Sequence, residues 1–208
     1  MLFTPRRFSL AALTLLLALA TATSASAQDG EASWSVDDSR SSITFESDAP
    51  AERFTGTSES IEGSIDWNFD APAESTGTIS FPVATVRTGN STRDRHLQNR
   101  DWLHADEYPT ITFTLEGLSD LRTARTDSGQ IHHRATADGS LEVRGVENSI
   151  EASVEIAIIP EQKTARVMPK LQFGLADHNI EGAGGDRAIG HGVGEVIDVR
   201  GTVYFNWE

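Results

Sequence analysis

The chain has no cysteine, so neither a disulfide nor a lipid-modified cysteine is available to hold it together or tether it to a membrane. Its stability must come from its own core. Lysine is nearly absent too: Lys163 and Lys170 are the only two among 17 basic residues, set against 31 acidic ones, for a net charge of −14. Such a chain repels phosphate backbones, which makes nucleic acid a poor partner. Long apolar runs are also missing. No segment approaches the roughly 20 consecutive apolar residues that a membrane helix needs, so no stable membrane anchor is expected. Catalytic signatures are lacking as well: there is no nucleophile elbow, and the glycine-rich stretch from Gly182 to Gly194 has no lysine followed by Ser or Thr to cradle a phosphate.

What is present begins with a leader. Arg6 and Arg7 precede an apolar run from Leu10 to Ala20 and the small residues Ala25-Ser26-Ala27, the three parts of a secretory signal. Cleavage is expected near Ala27, with export to the periplasm or beyond; the general secretory and twin-arginine routes both stay open. Residues 28–208 then form one domain, long enough for a sizeable core.

That domain is dominated by alternation with period two, the mark of strands with one buried face. Ile61, Gly63, Ile65, Trp67 and Phe69 face one way; Glu62, Ser64, Asp66, Asn68 and Asp70 face the other. The pattern recurs at Ile79-Phe81-Val83, Ile111-Phe113-Leu115, Ile150 to Ile158, and Val199 to Trp207, with shorter pieces at Trp34-Val36, Ile43-Phe45, Leu141-Val143 and Leu171-Phe173. Turn signals at Asp70-Ala71-Pro72, Asp127-Ser128-Gly129, Asp138-Gly139 and Gly182 to Gly194 fall at hairpin spacing. An open sheet of this length would expose unpaired edges, and closure removes them. The expected fold is all-β, a single antiparallel barrel of about eight strands.

One segment breaks the pattern. From Asn90 to Asn99 the sequence reads as a short helix over 91–99, capped by Asn90 or Ser91, with Asp94 placed as in a capping box. It lies inside a long connection, from near Val86 to near Thr110, of the kind that tends to carry function.

Within that connection Thr88-Gly89-Asn90, Arg93-Asp94, His96-Leu97, Asp101-Trp102-Leu103 and Tyr108-Pro109-Thr110-Ile111-Thr112-Phe113 fall in one ordered run. Together with Trp34 to Ile43, Gly56, Gly63 and Gly139 to Gly145, the run resembles the YceI-like polyisoprenoid-binding family over most of the chain after the leader. The chain departs from it at Arg40, where the family's first motif has histidine, and at His178-Asn179 with the glycine-rich loop containing His191. The resemblance implies a lipocalin-like barrel whose lumen takes a long isoprenoid of quinone or polyprenyl phosphate type, without a cofactor. Transient membrane contact and a homodimer are both compatible with it.

Candidate lining residues are Phe45, Ile65, Trp67, Phe69, Phe81, Val83, Trp102, Phe113, Leu115, Val154, Ile156, Phe173 and Phe205. Alternation alone leaves open whether they line a tunnel or fill a core. At about 0.8 kcal/mol per buried CH₂, ten ligand carbons contribute roughly 8 kcal/mol. Association costs about 4 to 15 kcal/mol, so only a long chain binds tightly. Arg93, Asp94, His96 and Tyr108 are candidates for the ligand head group or barrel mouth, with the pinning of the loop as the alternative for Arg93 and Asp94; Trp102, Leu103 and Tyr108 either cover the mouth or seat the loop. His132 and His133 leave opposite faces of a strand and do not suit a shared metal. His178 with His191 has no recognised ligand spacing. Two rival readings remain: a lipid-modifying enzyme using His96 with Asp94 or His178 with His191, and an interaction module whose barrel is filled.

Overall fold

The computed structural model describes residues 30–125, 128–182 and 189–208. The leader and its cleavage site lie outside the described residues. So do residues 126–127, the second of which opens one expected turn, and residues 183–188 of the glycine-rich stretch.

Nine strands form one antiparallel sheet: β1 (Glu31–Asp48), β2 (Arg53–Ser58), β3 (Glu62–Asn68), β4 (Thr76–Pro82), β5 (Thr110–Arg125), β6 (Ile131–Val143), β7 (Val146–Ile159), β8 (Thr164–Gly174) and β9 (Val196–Asn206). From β3 to β9 each strand pairs with the next, and β9 returns to β1 from Ser35↔Asn206 to Ser47↔Ile197. Eight strands thereby close into a barrel, which leaves no long edge to attract another chain. The ninth, β2, shares one edge of β1 with β3: β3 pairs with Glu31 to Ser35 and β2 with Ile43 to Asp48.

Alternation is the reason these residues are strands. In β6, Ile131, His133, Ala135, Ala137, Gly139, Leu141 and Val143 are all buried, while most of the residues between them are at least partly accessible. In β7, Ala152, Val154, Ile156 and Ile158 are buried between exposed Glu151, Ser153 and Glu155. His132 is exposed and His133 buried, as their adjacency on a strand demands.

Three expectations need correction. The pieces at Trp34-Val36 and Ile43-Phe45 are one continuous strand, kinked where its register to β9 shifts between Asp37 and Ser42. There Ser41 donates to the Asp37 carbonyl and accepts from the Tyr204 amide, while Arg40 lies over the Tyr204 ring, 4.0 Å from its centroid. Asp138-Gly139 is not a turn but lies mid-strand in β6. Gly139 is needed there for close approach, since a Cβ would sit 2.0 Å from the Thr114 carbonyl oxygen. The turn comes at Arg144-Gly145, both with positive φ (53° and 70°), as a tight hairpin joining twisted strands requires. Finally, Val83 belongs to a 3-10 turn (Val83–Thr85) after β4 rather than to the strand itself.

The single α-helix among the described residues, α1, spans Ser91–Gln98. Asn90 is its cap: the Asn90 Oδ1 accepts from the amides of Thr92 (3.0 Å) and Arg93 (3.2 Å). Asp94 does not reach back to Ser91. Its Oδ1 accepts from the Thr88 amide at 2.8 Å and the Thr88 hydroxyl at 2.6 Å, which ties the helix to the preceding loop.

Candidate functional site

The barrel interior is not uniform. At one end Trp34 and Trp67 stack at 4.5 Å with Trp34 also stacked on Trp207 at 5.2 Å, while Phe69 and Phe205 pack around them. Trp34 is 0% exposed and Trp67 2%, and neither buried indole N–H has a hydrogen-bond acceptor. His133 lies beside Trp67, its Nδ1 2.9 Å from the Thr123 hydroxyl. This end is closed by aromatic packing.

Above it the barrel is hollow. A cavity of about 90 Å³ borders Ile65, Trp67, Leu115, Val154, Ile156 and Phe205. A second, of about 140 Å³, occupies the other end and borders Phe45, Phe81, Trp102, Phe173 and Val143. Ile79, Phe113 and Leu171 border both. The walls are carbon almost throughout, so either space favours hydrocarbon over a polar group.

The larger cavity is roofed by segments outside the strand ladder. α1 contributes Leu97, the one apolar residue in that helix, and the turns after it contribute Trp102 and Leu103. Leu175, Ile180 and Val193 come from the connection between β8 and β9, and Phe54 from β2. Gly56, opposite Phe45 on the neighbouring strand, makes room for that ring: a Cβ at Gly56 would sit 2.2 Å from the Phe45 Cε1. Polar bonds then fasten the roof. Arg93 pairs with Glu52, donates from Nε to the Thr88 hydroxyl at 3.1 Å, and lies over the Phe54 ring at 4.2 Å, which joins α1 to the β1–β2 hairpin. Arg144, at the tip of the β6–β7 hairpin, donates to the carbonyls of Asn179 and Arg100, clasping both roof segments at once.

Of the candidate lining residues, the structure places eleven on the two cavities: Phe45, Phe81, Trp102 and Phe173 on the larger, Ile65, Trp67, Leu115, Val154, Ile156 and Phe205 on the smaller, and Phe113 on both. Phe69 and Val83 line neither; Phe69 packs in the aromatic end, and Val83 is buried at the foot of the long connection. Among the mouth candidates, Arg93 and Asp94 are spent on fixing the loop. The Thr88 hydroxyl, and then the Thr88 amide, hold the Asp94 carboxyl below the usual carboxylate range against the opposing effect of burial. His96 is exposed, and Tyr108 lies against Gly145 with its hydroxyl donating to Glu107 at 2.9 Å, a bond that raises its pKa. His178 is buried with Nδ1 2.9 Å from the Val146 carbonyl, whereas His191 is exposed. Among the described residues, no group of three or more His, Asp or Glu is arranged to hold a metal ion.

Sequence reasoning missed several residues of the roof. A lone leucine on an otherwise polar helix was a legible sign that Leu97 faces the body. Phe54, by contrast, stands in a strand whose other inward positions are Gly56 and Ser58, too little apolar character for alternation to register.

A closed antiparallel barrel with an apolar hollow beneath a separately fastened roof is a lipocalin-like architecture that encloses apolar space. The profile of the YceI-like domain matches residues 34–205, and the chain belongs to that family. It is 30% identical over 59 residues to a UPF0312 protein of Photorhabdus laumondii and likewise to protein YceI of Shigella flexneri, in each case over 28% of this chain and 31% of the relative. The chain thus aligns with about a third of the length of these curated relatives. Its fold is similar to that of BcnA from Burkholderia cenocepacia (TM-score 0.67, 16% identity, 81% of this chain and 98% of the other). It is also similar to a polyisoprenoid binding domain from Saccharophagus degradans implicated in plant cell wall breakdown (TM-score 0.62, 14% identity, 84% and 98%).

Proposed function

We propose that this protein is a non-enzymatic carrier, exported after removal of its leader, that holds the apolar chain of a polyisoprenoid lipid of quinone or polyprenyl phosphate type inside the barrel for transport or storage. The observation that carries the reading is the pair of apolar cavities inside the closed strand ladder. The ligand class draws support from the Saccharophagus domain of the same fold, which is described as polyisoprenoid-binding. A wall of carbon requires the hydrocarbon tail to enter first, leaving the head group at the roofed end.

Size refines this picture. A dry apolar cavity of about 150 Å³ accepts benzene or xenon. The larger cavity, at about 140 Å³, therefore seats roughly one isoprene unit as it stands, and a long chain requires the interior to yield. The candidates for catalysis do not converge: Asp94 is engaged by Thr88, His96 is exposed, and His178 is bonded to the Val146 carbonyl. Binding without turnover is the chemistry such an interior supports.

Native mass spectrometry and solvent extraction of the gently purified full chain test the proposal. The expected result is a copurifying prenyl lipid, or uptake of a long-chain quinone by emptied protein. Repeated recovery of empty protein that takes up no such lipid would overturn it.

A further inference from the structure

The two cavities lie in one barrel and share part of their lining. Between them stand three side chains, Ile79 from β4, Phe113 from β5 and Leu171 from β8, each bordering both spaces. None is fully buried, although all three face inward among buried neighbours. Apolar side chains with void on two sides lack the surrounding contacts that hold a packed core residue in place. Phe113 is the largest of the three. Its ring tip passes over Gly139 of β6, where a Cβ would come within 3.2 Å of the Phe113 Cζ, so the missing side chain is what admits the ring to this level of the barrel.

We infer that Ile79, Phe113 and Leu171 form a movable septum that sets the length of prenyl chain this protein accepts, with Phe113 as the residue that determines specificity. The inference rests on the carrier reading above. A short chain occupies the roofed cavity and stops at the septum. A longer one gains further apolar contact only by turning the Phe113 ring aside and entering the smaller cavity, beside Trp67. The energy of forcing an aromatic ring from its preferred rotamer is comparable to the gain from a few buried carbons, so the septum acts as a threshold rather than a wall.

The test uses the full chain and three prenyl alcohols of increasing length: prenol, geraniol and farnesol. In the wild type, the affinity gained per added isoprene unit falls where the chain meets the septum. Phe113→Ala removes that break and raises the preference for the longest alcohol over the shortest by about tenfold. Phe113→Leu, which keeps the site apolar and guards against a variant that fails to fold, moves the profile the same way by a smaller amount. A second readout follows depth directly. With Trp102→Phe, the remaining tryptophans are Trp34, Trp67 and Trp207, all at the closed end. A farnesyl chain carrying a nitroxide at its tail quenches them more strongly when Phe113→Ala is added. Unchanged length profiles and quenching in folded, binding-competent Phe113 variants would overturn the septum and leave the carrier standing. Failure of the wild type to bind any prenyl alcohol would overturn both.

Discussion

The two ends of this barrel are built from the same residue types in the same alternation, yet one is capped by stacked aromatics beneath a small cavity and the other holds the larger one. At the closed end Trp34, Trp67 and Phe205 are almost wholly buried and meet face to face or at a tilt. At the roofed end Phe45, Phe81, Phe113 and Phe173 point inward around the larger cavity, keep partial accessibility and do not stack on one another. Packing and empty space are thereby divided unevenly along the barrel axis: one end is tighter and the other keeps more room.

The sharpest way to break this division is to truncate matched aromatics. Trp34→Ala should lower unfolding stability by about 3 to 5 kcal/mol, the range for deleting a buried aromatic. Phe173→Ala should lower it by less than about 2 kcal/mol, since that ring already borders a void, while weakening lipid uptake. Urea unfolding followed by circular dichroism checks both; equal losses would mean that the ends do not differ as described. Next in size, Arg144→Ala removes the clasp on the Arg100 and Asn179 carbonyls. It should cost roughly 1 kcal/mol and speed both entry and release of a prenyl ligand, with little effect at the closed end. Stopped-flow binding would show it, and unchanged exchange rates would remove Arg144 from the roof's fastening.

The smallest effect concerns pH. The Asp94 carboxyl is held below its ordinary range in the folded state, mainly by the Thr88 hydroxyl. Its contribution is therefore present above the unfolded value of about 4 and lost as pH falls through the lower folded value. Amide exchange around Thr88 should accelerate across that acid window in the wild type. In Asp94→Asn the acceleration should be absent.

Much of the architecture was legible in the sequence. Alternation at Ile65-Trp67 and Ile150 to Ile158 fixed which side chains point inward, and the closing pattern through Phe205 placed the last strand. Asn90 marked the helix start. Depth was not legible, because period two reports facing and nothing about height along the barrel axis. Phe69 and Phe173 therefore looked alike, although one packs against tryptophans and the other borders a cavity. Gly139 misled for a related reason: after Asp138 it resembles a turn, but its role is to admit Phe113 and the Thr114 carbonyl from the neighbouring strand. The roof was the least readable part. Leu175, Ile180 and Val193 lie in irregular backbone, where no periodicity announces a buried side chain.

A crystal of the protein pressurised with xenon tests the central claim most directly, because xenon enters dry apolar cavities of this size without demanding a polar partner. Xenon is expected at both levels of the barrel, on either side of Phe113, and none between the stacked rings of Trp34, Trp67 and Trp207. Side chains collapsed into both spaces, or ordered water filling them, would contradict it.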